Sequence, residues 1–248
     1  MKIYDCLTYF NEEDMLKIRL HELHNYVDAF VIVEASETFT GNKKPFYFDN
    51  TTKWIEPFFD KIIRVKIDFP EKGMTSWDRE IFQRNSIYKG LARANKNDIV
   101  ILSDADEIIN KNIINEIKKI KTPIALDNKQ YFWNFHWQVP DHCNEGARPV
   151  AFKYSEIQKN SPQRIREMNL PRIPNAGWHF SYFSDINNII YKIESFAHTE
   201  YNQDEYKSLE AIKHRIEYGI DPFDRFPLKY QDIDDSYPDY VRNNFKLQ

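Results

Sequence analysis

The stretch Ile99-Val100-Ile101-Leu102-Ser103-Asp104-Ala105-Asp106-Glu107 decides the fold of this chain. Its first four residues are apolar on both faces of an extended segment, which predicts a buried strand in the centre of a parallel sheet. The strand runs directly into Asp104 and Asp106. Ligands of open α/β sheets bind at the carboxyl ends of the strands. The stretch therefore predicts an α/β domain that carries two carboxylates at its ligand-binding edge.

The segments before this stretch alternate between strand and helix patterns. Three short apolar runs predict strands: 2–8, 29–33 and 61–67. Leucines at helical spacing between residues 16 and 23 predict a helix between the first two strands. Units of strand, helix and strand predict a mostly parallel sheet flanked by helices.

A second helix is predicted ahead of the central strand. Thr75-Ser76-Trp77-Asp78 fits a capping box, and the helical pattern continues to about Ala94. One face of this helix would carry four residues: Trp77, Ile81, Tyr88 and Ala92. We expect that face to pack into the core rather than to line a site.

The second half of the chain has a different character. Three aromatic-rich segments predict strands: 130–137, 149–154 and 178–183. An amphipathic helix is predicted from Ile186 to Phe196, and no repeat or low-complexity linker separates the two halves. We expect one domain over residues 1–248, in which 1–110 form a nucleotide-type sheet and 111–248 form a substrate platform.

Composition excludes several classes of function. The chain has 248 residues, a net charge of −4 and ordinary globular fractions of hydrophobic and charged residues, so a nucleic-acid binder held by phosphate neutralisation is not expected. No apolar run approaches the roughly 20 residues that span a bilayer. Cys6 and Cys143 lack the spacing of a zinc module or a disulfide framework. We expect a soluble, cytoplasmic protein without a transmembrane segment.

The glycine count limits how a nucleotide is bound. With only 6 glycines, neither GxGxxG nor GxxxxGK[ST] occurs in the chain. A divalent cation on carboxylates is the obvious candidate for neutralising phosphates without these loops. Asp104 and Asp106, at alternate positions of an extended segment, would lie about 6.5–7 Å apart on one side, close enough to approach one cation. The alternative is a solvated acidic loop.

Six segments, in order along the chain, carry a family resemblance: 2–12 (KIYDCLTYFNE), 31–41 (VIVEASETFTG), 79–84 (REIFQR), 102–108 (LSDADEI), 177–181 (GWHFS) and 195–200 (SFAHTE). In this combination the chain resembles glycosyltransferase family 17, which includes enzymes that add a bisecting N-acetylglucosamine to the β-mannose of N-glycans. The resemblance implies a GT-A fold, a UDP-sugar donor, a divalent metal (Mn²⁺ or Mg²⁺) and an inverting transfer to a glycan acceptor.

The chain differs from the animal members of that family in one visible way. We expect it to lack the N-terminal membrane anchor and stem of those members, and it looks more like a bacterial or viral enzyme that builds a surface glycan. The acceptor is therefore left open. Two other functions stay open as well, a sugar nucleotidyltransferase and a non-catalytic glycan-binding module. The first usually carries a Gly- and Arg/Lys-rich loop near the N-terminus, which this sequence lacks.

The resemblance assigns roles to residues of the matched segments. Asp106 is the expected direct metal ligand, Asp104 is expected to contact the metal and the donor ribose, and His179 is the preferred third ligand. The donor is expected to contact a set of residues from the matched segments: Thr8, Tyr9, Phe10, Asn11, Glu34, Arg79, Arg84, Asp104 and His198. Core packing for the aromatic residues and an ion pair for the arginines are the alternatives.

The acceptor side is less constrained by the sequence. An inverting transfer needs a general base for the acceptor hydroxyl, and Glu145, Asp141 and Glu200 are the candidates. A sugar-stacking wall is expected from Trp178, Trp133 and Trp137, with core packing as the alternative.

Overall fold

The computed structural model describes residues 1–50, 53–144 and 148–245. Its strands are β1 (Ile3–Thr8), β2 (Ala29–Ala35), β3 (Ile62–Ile67), β4 (Ile99–Asp104), β5 (Glu107–Ile109), β6 (Ile124–Phe132), β7 (Trp137–Gln138), β8 (Val150–Lys153), β9 (Arg172–Ser181) and β10 (Lys229–Tyr230). Its α-helices are α1 (Glu13–Leu23), α2 (Ser76–Asn85), α3 (Ile114–Ile117), α4 (Pro162–Arg166), α5 (Ile186–Ser195), α6 (Asp204–Lys207), α7 (Leu209–Tyr218) and α8 (Asp239–Phe245).

A curled sheet runs through the whole chain in the order β10-β7-β6-β8-β4-β1-β2-β3. The four N-terminal strands pair in parallel, which confirms the predicted α/β fold of the first half. Strand β8 joins β4 in antiparallel fashion, and β6 joins β8 in the same way. The sheet as a whole is therefore partly antiparallel, and it continues from the first half of the chain into the second.

Strand β4 is central because both of its faces are covered. Ile99 and Ile101 belong to the core cluster that contains Leu16 of α1. Val100 belongs to the cluster on the opposite face, which contains Leu91. All four residues predicted as the buried strand have less than 1% of their surface exposed. Burial on both faces leaves the carboxyl end of β4 as the place where its polar residues reach solvent.

The predicted second helix begins as an α-helix and continues as a 3₁₀ helix. Its capping box at Thr75 is present, with Asp78 as the reciprocal partner, but the α-helix ends at Asn85 and a 3₁₀ segment covers Ser86–Leu91. Gly90 allows this segment to lie directly on β2, because a Cβ there would be 2.3 Å from a methyl group of Val31. The expectation of one α-helix to about Ala94 is therefore wrong.

The buried face of α2 also differs from the predicted one. Trp77 and Tyr88 are 44% and 53% exposed, and Ala92 is exposed as well, so these residues do not form a core face. Gln83 and Arg84 are buried instead. Apolar periodicity could not find this face because it is polar. Its side chains hydrogen-bond to groups at the carboxyl ends of the strands.

Strand β9 connects the second half of the sheet to the Asp-x-Asp segment. It pairs in parallel with β6 and in antiparallel fashion with β5, which follows Asp106 directly. Glu107 thereby lies opposite His179. In the three described ranges, no helix is both long and apolar enough to cross a bilayer.

Candidate active site

A cavity of about 860 Å³ lies at the carboxyl ends of β1 and β4. Thr8 lies beside Asp104 in the register of these strands, so both strands end at the same edge. Helices α2, α4 and α5 and strand β9 contribute the other walls. The charged groups near the strand ends are Arg84, Asp104, Asp106, Glu107, Arg166 and Lys192. The two predicted carboxylates therefore do lie at a concave site.

Asp104 is held between two guanidinium groups. Arg166 donates a hydrogen bond to its Oδ2 at 2.9 Å, and Arg84 donates to its Oδ1 at 3.1 Å. The hydroxyl of Thr8 donates to the same Oδ1 at 3.1 Å. Burial alone would raise the pKa of Asp104, but attraction to Arg166 and Arg84 outweighs it and keeps the pKa well below its usual range. The carboxylate is ionised, and both of its oxygens are engaged.

Asp106 faces a different pair of basic side chains. The Nζ of Lys192 donates to its Oδ2 at 2.9 Å, and the Nε2 of His179 lies 3.5 Å from its Oδ1. Burial opposes the charged form of all three groups, but their mutual attraction outweighs burial. The pKa of Asp106 is therefore lowered, whereas the pKa values of His179 and Lys192 are raised. Glu12 lies 3.6 Å from the Nζ of Lys192.

A close backbone contact brings His179 to this position. Gly177, in the antiparallel pair of β5 and β9, lies opposite Ile109. A Cβ at Gly177 would be 2.1 Å from the carbonyl oxygen of Ile108, so only glycine allows the two strands to approach. The amide of Phe180 then donates to the carbonyl oxygen of Asp106 at 2.9 Å.

Arg19 fixes the Asp-x-Asp turn, which runs from Asp104 to Glu107, from the interior of the protein. Its guanidinium is completely buried and forms two hydrogen bonds of 2.6 Å to the Asp5 carboxylate. Its Nη1 donates to the carbonyl oxygens of Asp104 and Glu107 at 2.9 and 3.0 Å, on either side of the turn. The sequence signal for this role is a charged residue among the leucines of α1 that face the core. Arg166 and Lys192 lie in helices that carry no recognisable motif, so they were missed.

Asp106 would hold a divalent cation by exchanging its contacts with Lys192 and His179 for the ion. Mg²⁺ often takes one or two carboxylate ligands and completes its shell with water and substrate phosphate oxygens. The Nε2 of His179 would join as a ligand only after losing the proton that its raised pKa favours. Among the described residues, no group of three or more His, Cys, Asp and Glu side chains surrounds a common point. Asp104 was expected to join the ligands, but its oxygens contact Arg84 and Arg166.

The match to a family model is almost complete. The model described as "Glycosyltransferase family 17" matches residues 1–237 of this chain. The chain belongs to glycosyltransferase family 17. The family resemblance read from the six sequence segments is thereby confirmed.

Curated relatives of this family 17 member align with almost its whole length at low identity. The β-1,4-mannosyl-glycoprotein 4-β-N-acetylglucosaminyltransferases of Homo sapiens and Rattus norvegicus are each 23% identical over alignments of 286 residues. These alignments cover 98% of this chain and 54% and 53% of the two relatives, so the chain spans about half the length of the curated relatives it matches.

One solved structure is similar only loosely. The 2-C-methyl-D-erythritol 4-phosphate cytidylyltransferase of Francisella tularensis superposes with a TM-score of 0.42 at 11% identity, covering 79% of this chain and 100% of that one.

The structure brings most of the residues expected to bind the donor to the cavity. Thr8, Tyr9, Phe10, Arg84 and His198 line it together with Asp104. Tyr9 is almost fully buried, whereas Phe10 is half-buried.

Three expected donor residues lie elsewhere. Asn11 lines a neighbouring cavity of about 540 Å³ rather than the first one. Glu34 is buried beside the first cavity, where its carboxylate accepts a hydrogen bond from Lys44 at 3.1 Å. Arg79 donates to the carbonyl oxygen of Phe39 at 3.3 Å and does not line the cavity.

The candidate general bases do not gather at the Asp-x-Asp turn. Glu200 is exposed, and its Oε1 lies 2.8 Å from the Nδ1 of His198. His198 lines the first cavity, but Glu200 does not. Asp141 is exposed and lines neither cavity. Glu145 lies outside the described residues.

The three expected sugar-stacking tryptophans separate in the structure. Trp133 lines the neighbouring cavity of about 540 Å³. Trp178 is buried in a core cluster that contains Tyr131 and Phe180. Trp137 packs on Gly219 and lines neither cavity. The exposed aromatic residue on the wall of the first cavity is Trp77, whose ring meets His198 edge-on at 4.6 Å.

Proposed function

We propose that this glycosyltransferase transfers N-acetylglucosamine from a UDP-sugar to a hydroxyl of a glycan acceptor, with inversion and with dependence on Mn²⁺ or Mg²⁺. The observation that carries the proposal is the Asp106–His179 pair beside Lys192, at the carboxyl end of the central strand. The printed names of the curated relatives support the choice of sugar.

The charges of the cavity suit a diphosphate leaving group. Transfer forms a bond between the acceptor oxygen and the anomeric carbon, while the proton of the acceptor hydroxyl passes to a general base. The bond from the anomeric carbon to the diphosphate breaks, and its electron pair leaves with UDP. A bound divalent cation would act as a Lewis acid on the diphosphate oxygens. Lys192 lies on the cavity wall next to Asp106, where its ammonium stabilises the negative charge that develops on the leaving group.

Arg84 and Arg166 provide a second region of positive charge. Both guanidinium groups line the cavity, and Asp104 holds them in fixed positions. Because these groups are preorganised, they need not reorient when charge appears on the diphosphate. We infer that Asp104 acts through these two arginines and, as expected from the sequence, beside the donor ribose.

The nucleoside would then lie toward the end of β1. Thr8 ends the strand and Phe10 follows it on the cavity wall, and the half-buried ring of Phe10 offers a face on which uracil can stack. Gln83 fixes this segment, since its Nε2 donates to the carbonyl oxygens of Val33 and Tyr9 at 2.9 and 3.3 Å. His198 closes the far wall.

Release of UDP from a set of UDP-sugars tests the proposal. We expect release from UDP-N-acetylglucosamine, with loss after chelation by EDTA and recovery when Mn²⁺ is added back. The thermal midpoint should rise with UDP and Mn²⁺ together more than with either alone. A shift with glycans but none with UDP and Mn²⁺ would favour a glycan-binding module, and release of pyrophosphate from UTP and a sugar 1-phosphate would favour a nucleotidyltransferase. Either result would contradict the proposal.

A further inference from the structure

The proposed transfer needs a general base that faces the acceptor hydroxyl. Neither Asp141 nor Glu200 lines the first cavity, so the acidic side chains that do line it are the next candidates. Within residues 1–50, 53–144 and 148–245, seven acidic side chains line this cavity. A suitable base offers an oxygen that no cation or hydrogen-bond donor occupies. The contacts of each carboxylate therefore separate the candidates.

Basic side chains contact five of the seven carboxylates: Glu12, Glu80, Asp104, Asp106 and Glu107. Both oxygens of Glu107 accept hydrogen bonds from Arg166, and Glu80 accepts one from Arg84 at 2.8 Å. One oxygen of Glu12 accepts hydrogen bonds from two backbone amides, and the other lies 3.6 Å from the Nζ of Lys192. A carboxylate beside a cation is a weak base, because the cation favours its ionised form.

The two remaining carboxylates, Glu37 and Glu167, lie at different ends of the cavity. Glu37 belongs to the loop after β2 that also carries Lys44, whose Nζ lies 5.4 Å from the centre of the Phe10 ring. That is the end proposed for the nucleoside, and β1 separates β2 from β4 in the sheet. Glu167 directly follows Arg166, whose guanidinium bonds to both ends of the Asp-x-Asp turn. Glu167 is therefore the carboxylate on the side of the reacting groups.

A glutamine fixes the orientation of Glu167. The Nε2 of Gln163 donates to the Oε1 of Glu167 at 2.8 Å, and the Oε1 of Gln163 accepts a hydrogen bond from Arg84 at 2.5 Å. Because a guanidinium can only donate, the amide turns its oxygen to Arg84 and its NH₂ group to Glu167. The main-chain amide of Gln163 donates to the side chain of Asn85 at 3.0 Å, which ties the start of α4 to the end of α2.

The second oxygen of Glu167 is open. In the part of the chain that the structure describes, the Oε2 of Glu167 accepts no hydrogen bond, and its ionic neighbour is the guanidinium of Arg164 at 4.0 Å. The side chain of Glu167 is 49% exposed, and Met168, Asn169 and Leu170 continue the cavity wall from it. A hydroxyl of a large acceptor can therefore reach this oxygen without burial of the whole acceptor.

We propose that Glu167 is the general base of the transfer and that Gln163 is its positioning residue. The Oε2 of Glu167 takes the proton of the acceptor hydroxyl while the acceptor oxygen bonds to the anomeric carbon. The bond from that carbon to the diphosphate breaks, and its electron pair leaves with UDP. Glu167 then gives the proton to water. This inference rests on the proposed function, because it assigns one step of that reaction.

Release of UDP from UDP-N-acetylglucosamine without a glycan tests the inference, with water as the acceptor and Mg²⁺ present. Glu167→Gln keeps the size of the side chain but removes its basic oxygen, so the rate should fall about 10²-fold to 10⁴-fold. The thermal shift with UDP and Mg²⁺ should stay. Glu210→Gln is the matched control, because Glu210 is also exposed and lines neither cavity.

Azide distinguishes loss of a base from loss of structure. It carries no proton, so it attacks the anomeric carbon without a base. Sodium azide should raise UDP release by Glu167→Ala about tenfold or more and yield the azide of N-acetylglucosamine with inverted configuration. It should add little to the unsubstituted protein or to Glu37→Ala. Gln163→Met should lower kcat about tenfold at an unchanged KM, a loss that azide also offsets.

Three results would overturn the inference. They are an unchanged rate in Glu167→Gln, loss of its thermal shift with UDP and Mg²⁺, and recovery by azide in Glu37→Ala but not in Glu167→Ala. The second would show that Glu167 acts in donor binding, and the third would make Glu37 the base. Absence of UDP release by the unsubstituted protein would instead count against the proposed function.

Discussion

The Nε2 of His179 lies 3.5 Å from the Oδ1 of Asp106, although the two residues belong to different halves of the chain. The antiparallel pairing of β5 with β9 creates this relationship, because it places Glu107 opposite His179. The paired carboxylate and imidazole distinguish Asp106 from Asp104, whose oxygens contact arginines. The two aspartates of one motif therefore have different surroundings, and we expect their substitutions to differ.

The first prediction separates these two aspartates by their response to Mn²⁺. Asp106→Asn should abolish the Mn²⁺-dependent part of the thermal shift with UDP and lower UDP release by about 10²–10³-fold, because a charged ligand is lost. Asp104→Asn should keep the Mn²⁺-dependent shift, since Arg84 and Arg166 occupy that carboxylate. Asp235→Asn, at an exposed carboxylate, is the control. Equal loss of the Mn²⁺ response in both site variants would contradict the assignment.

The second prediction concerns the charge that Lys192 brings to the leaving group. Lys192→Met should reduce the kcat of UDP release by about 10²-fold, with a smaller change in KM, because the ammonium acts mainly on charge that develops during transfer. Lys213→Met, at an exposed lysine outside both cavities, should match the unsubstituted enzyme. An effect confined to KM would show that Lys192 only binds the donor.

The sequence predicted β1, β2 and β4 because their apolar runs are buried on both faces. It predicted β3 from its alternation, in which Val65 and Ile67 are buried and Arg64 and Lys66 are exposed. It also predicted that Asp104, Asp106 and His179 share a site, since the family motifs carry these residues. It did not predict Arg166 or Lys192, because their contacts depend on how α4 and α5 pack against the sheet. Apolar periodicity predicted the wrong buried face for α2. The face that contacts the strand ends is polar and includes Gln83 and Arg84, whereas Trp77, on the apolar face, is exposed.

The third prediction tests Arg19 as the support of the Asp-x-Asp turn. Arg19→Met should lower the free energy of unfolding by about 3–5 kcal/mol, because it leaves the Asp5 carboxylate buried without a partner. The double variant Arg19→Met/Asp5→Leu removes both charges and should recover most of that stability. It should not recover UDP release, because the carbonyl oxygens of Asp104 and Glu107 still lack their donor. Urea denaturation and the release assay measure the two effects.

Recovery of activity together with stability in the double variant would show that Arg19 matters only for folding. Arg19→Lys is a useful companion, because lysine keeps the charge but cannot form the paired hydrogen bonds to Asp5 and reach both carbonyl oxygens at once.

The last prediction concerns Asp98, which joins the starts of β1 and β4. Burial opposes its ionisation, but hydrogen bonds from the backbone amides of Asn95 and Lys2, each 2.8 Å long, outweigh burial and hold the pKa of Asp98 below its ordinary value. The unfolded chain therefore binds a proton at this carboxyl more readily than the folded chain does. Its contribution to stability is present above the ordinary carboxyl pKa and is lost as the pH falls through the lower folded value.

Asp98→Asn should lower the free energy of unfolding by about 1–2 kcal/mol at neutral pH, because an amide cannot accept both backbone hydrogen bonds on two oxygens. The difference between Asp98→Asn and the unsubstituted protein should shrink as the pH falls below about 4, where the aspartate itself becomes protonated. Urea midpoints measured from pH 7 downwards test this, with Asp235→Asn as an exposed control that should show little difference at any pH. A difference that stays constant into acid would mean that Asp98 stabilises the fold through packing rather than through its charge.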